Sequence, residues 1–311
     1  MVKVVVATPD SKSTRRWQQV MQAALPQCDV QAWQPGDAAT GARYAVVWSP
    51  SDALFQVERE LEAVFNLGAG VDRVLTLPSL PADLPVLRLE DAGMAPQMAE
   101  YVIHGLAWLS RGMDTYARQQ RAAQWAPLPG IRYGDWPVGV MGLGKLGAHV
   151  ARAVAALGYP VAGWARSLRS VEGVDVFAGE AQFNDFLARS RVLVNLLPLT
   201  PETTGIIDAA LLQRLRPDAV VINIARGGHV VDADLLAALD SGRVRAAVLD
   251  VFNEEPLPAD HPYWSHPRVR VTPHVAAATL EEDAAAQISE RILRLERGEA
   301  VTGVVRRDTG Y

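Results

Sequence analysis

Residues 138–147 read VGVMGLGKLG, and this stretch decides the fold. An apolar strand runs directly into a Gly-x-Gly-x-x-Gly pattern, whose last glycine leads into a helical pattern over residues 148–157. Glycines at this spacing allow a tight turn, a close approach of backbone to a phosphate, and close packing of helix on strand. The helix start adds N–H groups and a favourable dipole for an anion. We predict pyrophosphate contacts at Gly142, Gly144, Lys145, Leu146 and Gly147; the alternative is a glycine turn without a ligand.

Short runs rich in Val, Ile and Leu alternate with amphipathic stretches on both sides of this motif. That alternation is typical of parallel sheets covered by helices on both faces. A chain of 311 residues with 49% hydrophobic content can bury two cores. We therefore predict an α/β protein of two parallel-sheet domains, flavodoxin-like and Rossmann-like, with a cleft between them. Residues 1–100 with 280–311 are assigned to a substrate domain, and residues 101–279 to a dinucleotide-binding domain.

The predicted elements follow these apolar runs. The strands of the first domain are expected at residues 2–7, 44–48, 63–67 and 86–89. Those of the second domain are expected at residues 138–141, 161–164, 192–196, 220–224, 246–251 and 269–272. One long helix is predicted at about residues 97–124 because no proline interrupts its apolar spacing. A capping-box pattern at residues 279–282 predicts a last helix to about residue 297 that returns to the first domain.

Composition excludes several classes of partner. The net charge is −5 and the chain has no lysine or arginine run, so neither nucleic acid nor an anionic membrane is expected as a partner. Cys28 is the only cysteine and no Cys/His cluster has zinc-ligand spacing, which predicts a reducing cytoplasm and no metal. The apolar run at residues 2–7 is too short for a signal peptide or a membrane span.

The strand at residues 161–164 bears on the choice of dinucleotide. An NAD site usually has an acidic residue about 20 positions after the glycines, whereas a 2′-phosphate calls for cations. Here Ala165 is followed by Arg166, Ser167, Leu168 and Arg169, and no acid appears before Glu172. Two guanidinium groups and a hydroxyl suit a phosphate monoester. We predict NADPH or NADP on Arg166, Ser167 and Arg169, with NADH less favoured; the alternative is a pair of solvated surface arginines.

Three further residues, Arg226, Glu255 and His274, each follow an apolar run in the second domain. Ligands of open α/β sheets bind at the carboxyl ends of strands. A guanidinium can bind a substrate carboxylate in a bidentate pair, and an imidazole can donate a proton to a carbonyl oxygen. A carboxylate beside the imidazole favours the protonated ring and fixes its orientation. The three residues predict hydride transfer to a 2-keto acid, although each residue alone has a structural alternative.

The sequence pattern leaves two assignments near these three residues open. Glu254 is a second candidate for the carboxylate, and Glu255 is preferred because it directly precedes Pro256. Asp250 ends the strand before Glu255, and we predict that it contacts the nicotinamide carboxamide. The alternative for Asp250 is a structural role at the strand end.

A second glycine loop, at residues 67–70, follows a strand of the first domain. Consecutive backbone N–H groups at a helix start can hold a carboxylate. We predict substrate contacts at Leu67, Gly68, Ala69 and Gly70, with an unoccupied turn as the alternative. Trp48 and Met94 are predicted to wall a small pocket, although large apolar residues more often belong to a core.

Several motifs together carry a family resemblance. The glycine fingerprint, residues 196–203, residues 223–227, residues 249–256 and residues 272–274 resemble the D-isomer-specific 2-hydroxyacid dehydrogenases over nearly the whole chain. Within the family, Arg166, Arg169, Trp48, the loop at residues 68–70 and residues 306–311 are similar to the glyoxylate/hydroxypyruvate reductases. The further cofactor contacts taken from these motifs are Leu197, Pro198, Thr203, Ile224 and Ala225.

The resemblance implies a reaction and an assembly. Arg226 would clamp the substrate, Glu255 and His274 would form the acid/base pair, and NADPH would reduce glyoxylate or hydroxypyruvate. It also implies a homodimer formed largely through the cofactor domain, with the segment near Trp125 reaching the partner. Other D-2-hydroxyacid dehydrogenases, a formate or phosphite dehydrogenase, and a dinucleotide-sensing corepressor remain alternatives. A corepressor would need a peptide-binding surface and, we expect, long flanking tails, so an enzyme is favoured.

Overall fold

The computed structural model describes residues 1–307 and residue 310 of the chain. It divides into two compact units, Met1–Gly93 with Thr279–Tyr311, and Met94–Ala278. The first break therefore lies at Gly93 rather than after residue 100, because the helix that begins at Met94 belongs entirely to the second unit. Of residues 306–311, which carried part of the resemblance, residues 308, 309 and 311 lie outside the described residues.

The first unit is a five-stranded parallel sheet with the strand order β2-β1-β3-β4-β5, which is flavodoxin-like. Its strands are β1 Lys3–Ala7, β2 Asp29–Ala32, β3 Tyr44–Val47, β4 Ala63–Asn66 and β5 Val86–Arg88. Its helices are α1 Ser11–Ala24, α2 Ala53–Val57, α3 Asp72–Leu75 and, from the end of the chain, α10 Glu281–Glu296. Alternate strand residues such as Val5, Ala45 and Val64 pack with α2 and α3, while α1 packs against α10.

The second unit is a seven-stranded parallel sheet with the order β12-β11-β10-β9-β6-β7-β8. Its strands are β6 Val138–Met141, β7 Val161–Ala165, β8 Asp175–Ala178, β9 Val192–Asn195, β10 Ala219–Asn223, β11 Val244–Leu249 and β12 Val269–Val271. Its helices are α4 Met94–Ser110, α5 Met113–Arg121, α6 Lys145–Ala156, α7 Phe183–Arg189, α8 Ala209–Arg214 and α9 Asp232–Asp240. Short 3-10 helices span Tyr133–Asp135, Glu180–Gln182, Gly227–His229 and Pro262–Trp264.

The two faces of this sheet are covered by different helices. Val140, Val194 and Ile222 pack in one apolar cluster with residues of α4 and α6. Their strand neighbours, including Leu193 and Val221, pack in a second cluster with residues of α7, α8 and α9. Successive side chains of a strand point to opposite faces, so a run of consecutive apolar residues supplies both clusters. The prediction of parallel sheets in an α/β fold is confirmed.

Three local predictions need correction. The long helix predicted at residues 97–124 is two helices, because Gly112 adopts a left-handed conformation (φ +67°) between α4 and α5. Strands β2 and β8 were not predicted, since each is a short edge strand that opens on an aspartate and is largely exposed or half-buried. Thr279 does not cap α10: its hydroxyl donates to Leu67 O at 3.0 Å.

Candidate active site

Most of the predicted site residues of the second unit lie on six loops at one edge of its sheet. All strand pairs are parallel, so the loops after β7, β6, β9, β10, β11 and β12 emerge side by side in that order. They carry, in the same order, the Arg166 segment, the glycine fingerprint, the Leu197 segment, Arg226, Glu255 and His274. The strand order reverses between β6 and β9, and ligands of open α/β sheets bind at such a point.

The fingerprint loop has the geometry of a phosphate cradle. Gly142 takes a positive φ of +93°, and a Cβ on Gly147 would lie 1.8 Å from Gly142 O, so backbone packing demands glycine at both positions. A Cβ on Gly144 would meet nothing within 4 Å. The space in front of Gly144, at the start of α6, therefore lies open to a ligand, while Lys145 is exposed and Leu146 is half-buried. These features fit a pyrophosphate.

The segment after β7 presents exposed cations beside this cradle. Arg166 and Ser167 are exposed, and Nη1 of Arg169 donates to Leu143 O at 2.5 Å, which joins the segment to the fingerprint loop. The charge of Arg166 acts on the nearby carboxyl group of Glu202. The hydroxyl of Thr200, its strongest contact, and the charge of Arg166 hold the pKa of the Glu202 carboxyl below its ordinary value.

Two buried asparagines, Asn195 and Asn223, end the adjacent strands β9 and β10 and hold the loops that follow them. Asn195 Nδ2 donates to Asn223 Oδ1 at 3.0 Å. The same side chains accept hydrogen bonds from the backbone N–H groups of Leu197 and Ala225, each at 3.2 Å. Leu197, Ile224 and Ala225 are buried, whereas Pro198 is half-buried and its carbonyl accepts the Thr203 hydroxyl at 2.7 Å.

Arg226 opens a turn that packs closely on the loop after β11. Asn223 Nδ2 donates to Arg226 O at 2.9 Å, and the half-buried guanidinium donates from Nη1 to Ala225 O at 2.8 Å. A Cβ on Gly227 would lie 1.8 Å from the carbonyl carbon of Phe252. A glycine is therefore needed directly after Arg226, because only hydrogen fits against the backbone of the Phe252 loop.

The Phe252 loop delivers Glu255 to His274. His274 Nδ1 lies 3.0 Å from Glu255 Oε2, and Glu255 Oε1 accepts the Phe252 N–H at 3.0 Å. Glu254, the other candidate, is exposed. His274 has a positive φ of +54°, and its side chain is 39% exposed against 20% for Glu255. The contact engages Nδ1 and leaves Nε2 as the nitrogen directed away from the carboxylate.

Asp250 holds the His274 loop through hydrogen bonds. Its carboxylate is buried and accepts hydrogen bonds from Thr272 Oγ1 at 2.6 Å and from the N–H groups of Val275 and Ala276, each at 2.8 Å. Its backbone carbonyl accepts the His274 N–H at 2.8 Å. Asp250 therefore has a structural role at this strand end, and its predicted contact with the nicotinamide carboxamide remains a prediction.

The second glycine loop lies in the first unit, after β4. Asn66 is buried and its Nδ2 donates to Gly68 O at 3.0 Å and to Gly70 O at 2.9 Å. In a trans peptide the N–H points opposite to the C=O, so the N–H groups of Ala69 and Val71 point away from Asn66. The Trp48 ring covers Gly68, since a Cβ there would lie 2.3 Å from Cζ3. Leu67 is buried, and Met94 is a buried residue at the start of α4 in the second unit.

Comparison with known proteins agrees with this architecture. Residues 103–276 match the family model described as "D-isomer specific 2-hydroxyacid dehydrogenase, NAD binding domain". The chain belongs to the D-isomer specific 2-hydroxyacid dehydrogenase family. The resemblance stated from the sequence motifs is thereby confirmed, and with it the prediction of an oxidoreductase with a nicotinamide dinucleotide-binding domain.

Solved structures of this dehydrogenase family match the chain over its whole length. A D-isomer specific 2-hydroxyacid dehydrogenase from Xanthobacter autotrophicus, in complex with NADPH and MES, is 40% identical, with 100% of this chain and 99% of that chain covered and a TM-score of 0.93. An NADPH-dependent glyoxylate/hydroxypyruvate reductase from Sinorhizobium meliloti, with NADP and sulfate, is 38% identical, with both chains covered to 100% and a TM-score of 0.94. A probable 2-hydroxyacid dehydrogenase from Rhizobium etli, with NADP, HEPES and L(+)-tartaric acid, is 34% identical at full coverage, with a TM-score of 0.91.

Sequence reasoning missed several polar residues that hold the loops of this dehydrogenase. Asn66, Asn195 and Asn223 each occupy the last position of a wholly buried strand, and that shared position is a signal that the sequence does contain. His229 is buried directly beyond the Arg226 turn. Tyr101 gives a hydrogen bond of 2.5 Å with Thr272 Oγ1, and burial raises the pKa of Tyr101 to about 12.

Proposed function

We propose that the chain catalyses the NADPH-dependent reduction of a small 2-keto acid, glyoxylate or hydroxypyruvate, to the corresponding 2-hydroxy acid. One observation carries this proposal. Arg226, Glu255 and His274 follow the successive strands β10, β11 and β12 at one edge of the sheet, and Glu255 and His274 are paired at 3.0 Å. A carboxylate clamp and an oriented proton donor are the groups that reduction of a keto acid requires.

The chain's own residues have distinct tasks in this reaction. The Arg226 guanidinium binds the substrate carboxylate through two parallel hydrogen bonds and lies near the carbonyl oxygen. Glu255 holds Nδ1 of His274, so Nε2 donates the proton to the carbonyl oxygen. When bound, NADPH supplies the hydride that reaches the carbonyl carbon. The carbonyl oxygen becomes the hydroxyl of the product, and His274 takes a proton from solvent afterwards.

The cofactor preference follows from the segment after β7. Arg166 and Arg169 supply two positive charges and Ser167 a hydroxyl, which suit the 2′-phosphate of NADPH. The proteins from Xanthobacter autotrophicus and Sinorhizobium meliloti, which were solved with NADPH or NADP, support the same choice. Asp250, Thr203, Pro198 and the buried residues Leu197, Ile224 and Ala225 are proposed to line the rest of the cofactor site.

The substrate contacts of the first unit are also part of the proposal. The N–H groups of Ala69 and Val71 are directed away from Asn66, so the loop can offer them to an anion. We assign that anion to the carboxylate of the keto acid, with Trp48 beside it on Gly68. Met94, at the start of α4 in the second unit, stays a predicted apolar contact of the substrate. Leu67 supports the loop from the core.

A homodimer in the cytoplasm is proposed as the working form. Trp125 is 99% exposed and is followed by Leu128 and Tyr133, which are also exposed, in a stretch of the second unit that has little regular structure. Large apolar side chains exposed this close together in the sequence are candidates for burial in a subunit contact. The single cysteine is compatible with a reducing compartment. No helix in the described part of the chain is long and apolar enough to span a bilayer.

The deciding experiment is a panel of keto acids assayed with NADPH and with NADH. Glyoxylate or hydroxypyruvate with NADPH should give the highest kcat/KM. Arg166→Ala should lower kcat/KM with NADPH by roughly tenfold or more, because a charge-assisted hydrogen bond is lost, and should change it little with NADH. A preference for NADH that survives Arg166→Ala would overturn the cofactor assignment, and reduction of NADP by formate would favour the alternative reaction.

Substitutions at two neighbouring glutamates test the acid/base pair. Glu255→Gln should lower kcat by roughly a hundredfold, within the range for general acid–base groups, and shift the pH profile to lower pH because a neutral amide no longer favours the protonated ring. Glu254→Gln is the matched control, since Glu254 is exposed and its neighbour makes the contact. Equal loss in both variants would contradict the assignment of Glu255.

A further inference from the structure

His229 is a wholly buried histidine on the short helix Gly227–His229, directly beyond Arg226. Its Nδ1 lies 3.1 Å from Arg226 O and its Nε2 lies 3.2 Å from Pro198 O. Both oxygens belong to backbone carbonyls, which only accept hydrogen bonds. The ring therefore stands between the loop after β9 and the loop after β10, with a nitrogen directed at each.

Backbone hydrogen bonds join these two loops. The Gly205 N–H donates to Gly228 O and the Ile207 N–H donates to His229 O, each at 2.8 Å. A Cβ on Gly228 would lie 3.2 Å from the Leu199 side chain, so the loops also approach closely. The His229 side chain adds a contact with Pro198 O, which also accepts the Thr203 hydroxyl.

We propose that His229 is a positioning residue that fixes the Pro198 loop relative to the Arg226 turn. This inference rests on the proposed function, in which Pro198 and Thr203 contact the cofactor and Arg226 contacts the keto acid. We assign a ring proton to Nε2, so that Nε2 donates to Pro198 O. This bond fixes the position of the hydride donor relative to the clamped substrate. An apolar side chain of equal volume would fill the space but leave the Pro198 loop without this bond. A displacement of about 1 Å between reacting groups is enough to slow a reaction markedly.

Two amide substitutions separate the two contacts of the ring. In His229→Gln the amide nitrogen reaches the position of Nε2 and can still donate to Pro198 O. In His229→Asn it reaches the position of Nδ1 and can donate only to Arg226 O. His229→Leu removes both contacts. We expect kcat with saturating NADPH and glyoxylate to fall roughly three- to tenfold in the Asn and Leu variants, and NADPH Kd to rise by a similar factor. The Gln variant should recover both quantities to within about twofold.

A structural role alone gives a different result. It would lower Tm in the Asn and Gln variants alike and leave kcat and NADPH Kd unchanged, and this outcome would overturn the inference. NADPH Kd, measured by nicotinamide fluorescence, does not depend on turnover. If the wild-type chain binds NADPH but reduces no keto acid, the proposed function fails, while the Asn and Gln comparison still decides whether His229 holds the cofactor loop.

Thr203 provides a second test on the same carbonyl, which stays informative if a His229 variant folds poorly. Thr203→Val removes the other hydrogen bond to Pro198 O. Because Thr203 is itself a proposed cofactor contact, Thr203→Val should raise NADPH Kd in the wild-type chain. The rise should be larger by a factor of about three in the His229→Asn chain, where the His229 bond to Pro198 O is also missing, but not in the His229→Gln chain. Strict additivity of the two substitutions would contradict a shared role.

Discussion

The loop after β6 in the second unit and the loop after β4 in the first unit share a plan. Each follows a wholly buried strand, contains closely spaced glycines, and leads into a helix. The reasons for glycine differ. Gly147 packs against the carbonyl oxygen of Gly142, which is backbone, whereas Gly68 packs against the ring of Trp48, which is a side chain. The fingerprint loop is therefore fixed by main-chain packing, and the Gly68 loop can adapt when one side chain moves.

The helices that follow the two loops differ in length. The fingerprint leads into α6 with 12 residues, whereas the Gly68 loop leads into α3 with four. A long helix brings an aligned dipole to its N-terminus, and a single turn contributes little of it. The first loop suits the doubly charged pyrophosphate of a dinucleotide. If the second loop binds an anion, as proposed above, individual N–H groups would hold it, and the side chain of Asn66 directs them.

The largest effect is expected from Gly147→Ala. The new methyl group would meet backbone that cannot rotate away, so the free energy of unfolding should fall by about 1–3 kcal/mol and NADPH binding should be lost with it. Gly144→Ala is the matched control, because its Cβ enters open space. It should leave the free energy of unfolding unchanged and weaken only NADPH binding. Wild-type NADPH affinity in Gly144→Ala, measured by fluorescence titration, would show that no phosphate approaches this position.

A smaller effect is expected from Asn66→Ala in the first unit. The carbonyls of Gly68 and of the half-buried Gly70 each lose a donor, although Gly68 O keeps the Leu89 N–H. This loss should cost about 0.5–1.5 kcal/mol of unfolding free energy and raise KM for the keto acid. Asn195→Ala is the counterpart in the second unit and should instead raise NADPH Kd. Steady-state kinetics and NADPH titration of both variants decide the matter. If both variants weaken the same ligand, the two loops do not have separate tasks.

The smallest effect is expected from Gly68→Ala. Its methyl group would press on the Trp48 ring, which can turn aside, so KM for the keto acid should rise while the free energy of unfolding falls by less than about 1 kcal/mol. In a Trp48→Ala chain the same substitution should cost almost nothing, which a double-mutant cycle measures. An unchanged cost in that background would mean that the Trp48 contact does not explain the glycine.

The parts that the sequence predicted follow from local rules. A buried parallel strand appears as an apolar run, and its carboxyl end marks where a functional residue can stand, so Arg226, Glu255 and His274 could be placed on one sheet edge before any coordinates. The edge strands β2 and β8 were missed because their half-exposed residues do not form such a run.

The parts that the sequence did not predict depend on contacts between distant segments. His229 reaches Pro198, which lies 31 residues earlier, and Asn195 reaches Asn223 across 28 residues. Thr279 has the pattern of a helix cap, yet its hydroxyl bonds to Leu67 because the fold brings that carbonyl within reach. A local pattern cannot reveal a partner that only the strand order supplies. The repeated asparagine at strand ends is the exception, and it offers a rule that can be applied to other sequences.

The central claim is that the chain transfers hydride from NADPH to the carbonyl carbon of a keto acid held by Arg226. The most direct measurement uses NADPH that carries deuterium at the transferred position of the nicotinamide, with glyoxylate as the acceptor. Mass spectrometry of the product should show deuterium at C2 of the hydroxy acid with the wild-type chain, and almost none with Arg226→Gln. NADPH consumption without labelled hydroxy acid, or equal labelling by Arg226→Gln, would contradict the account.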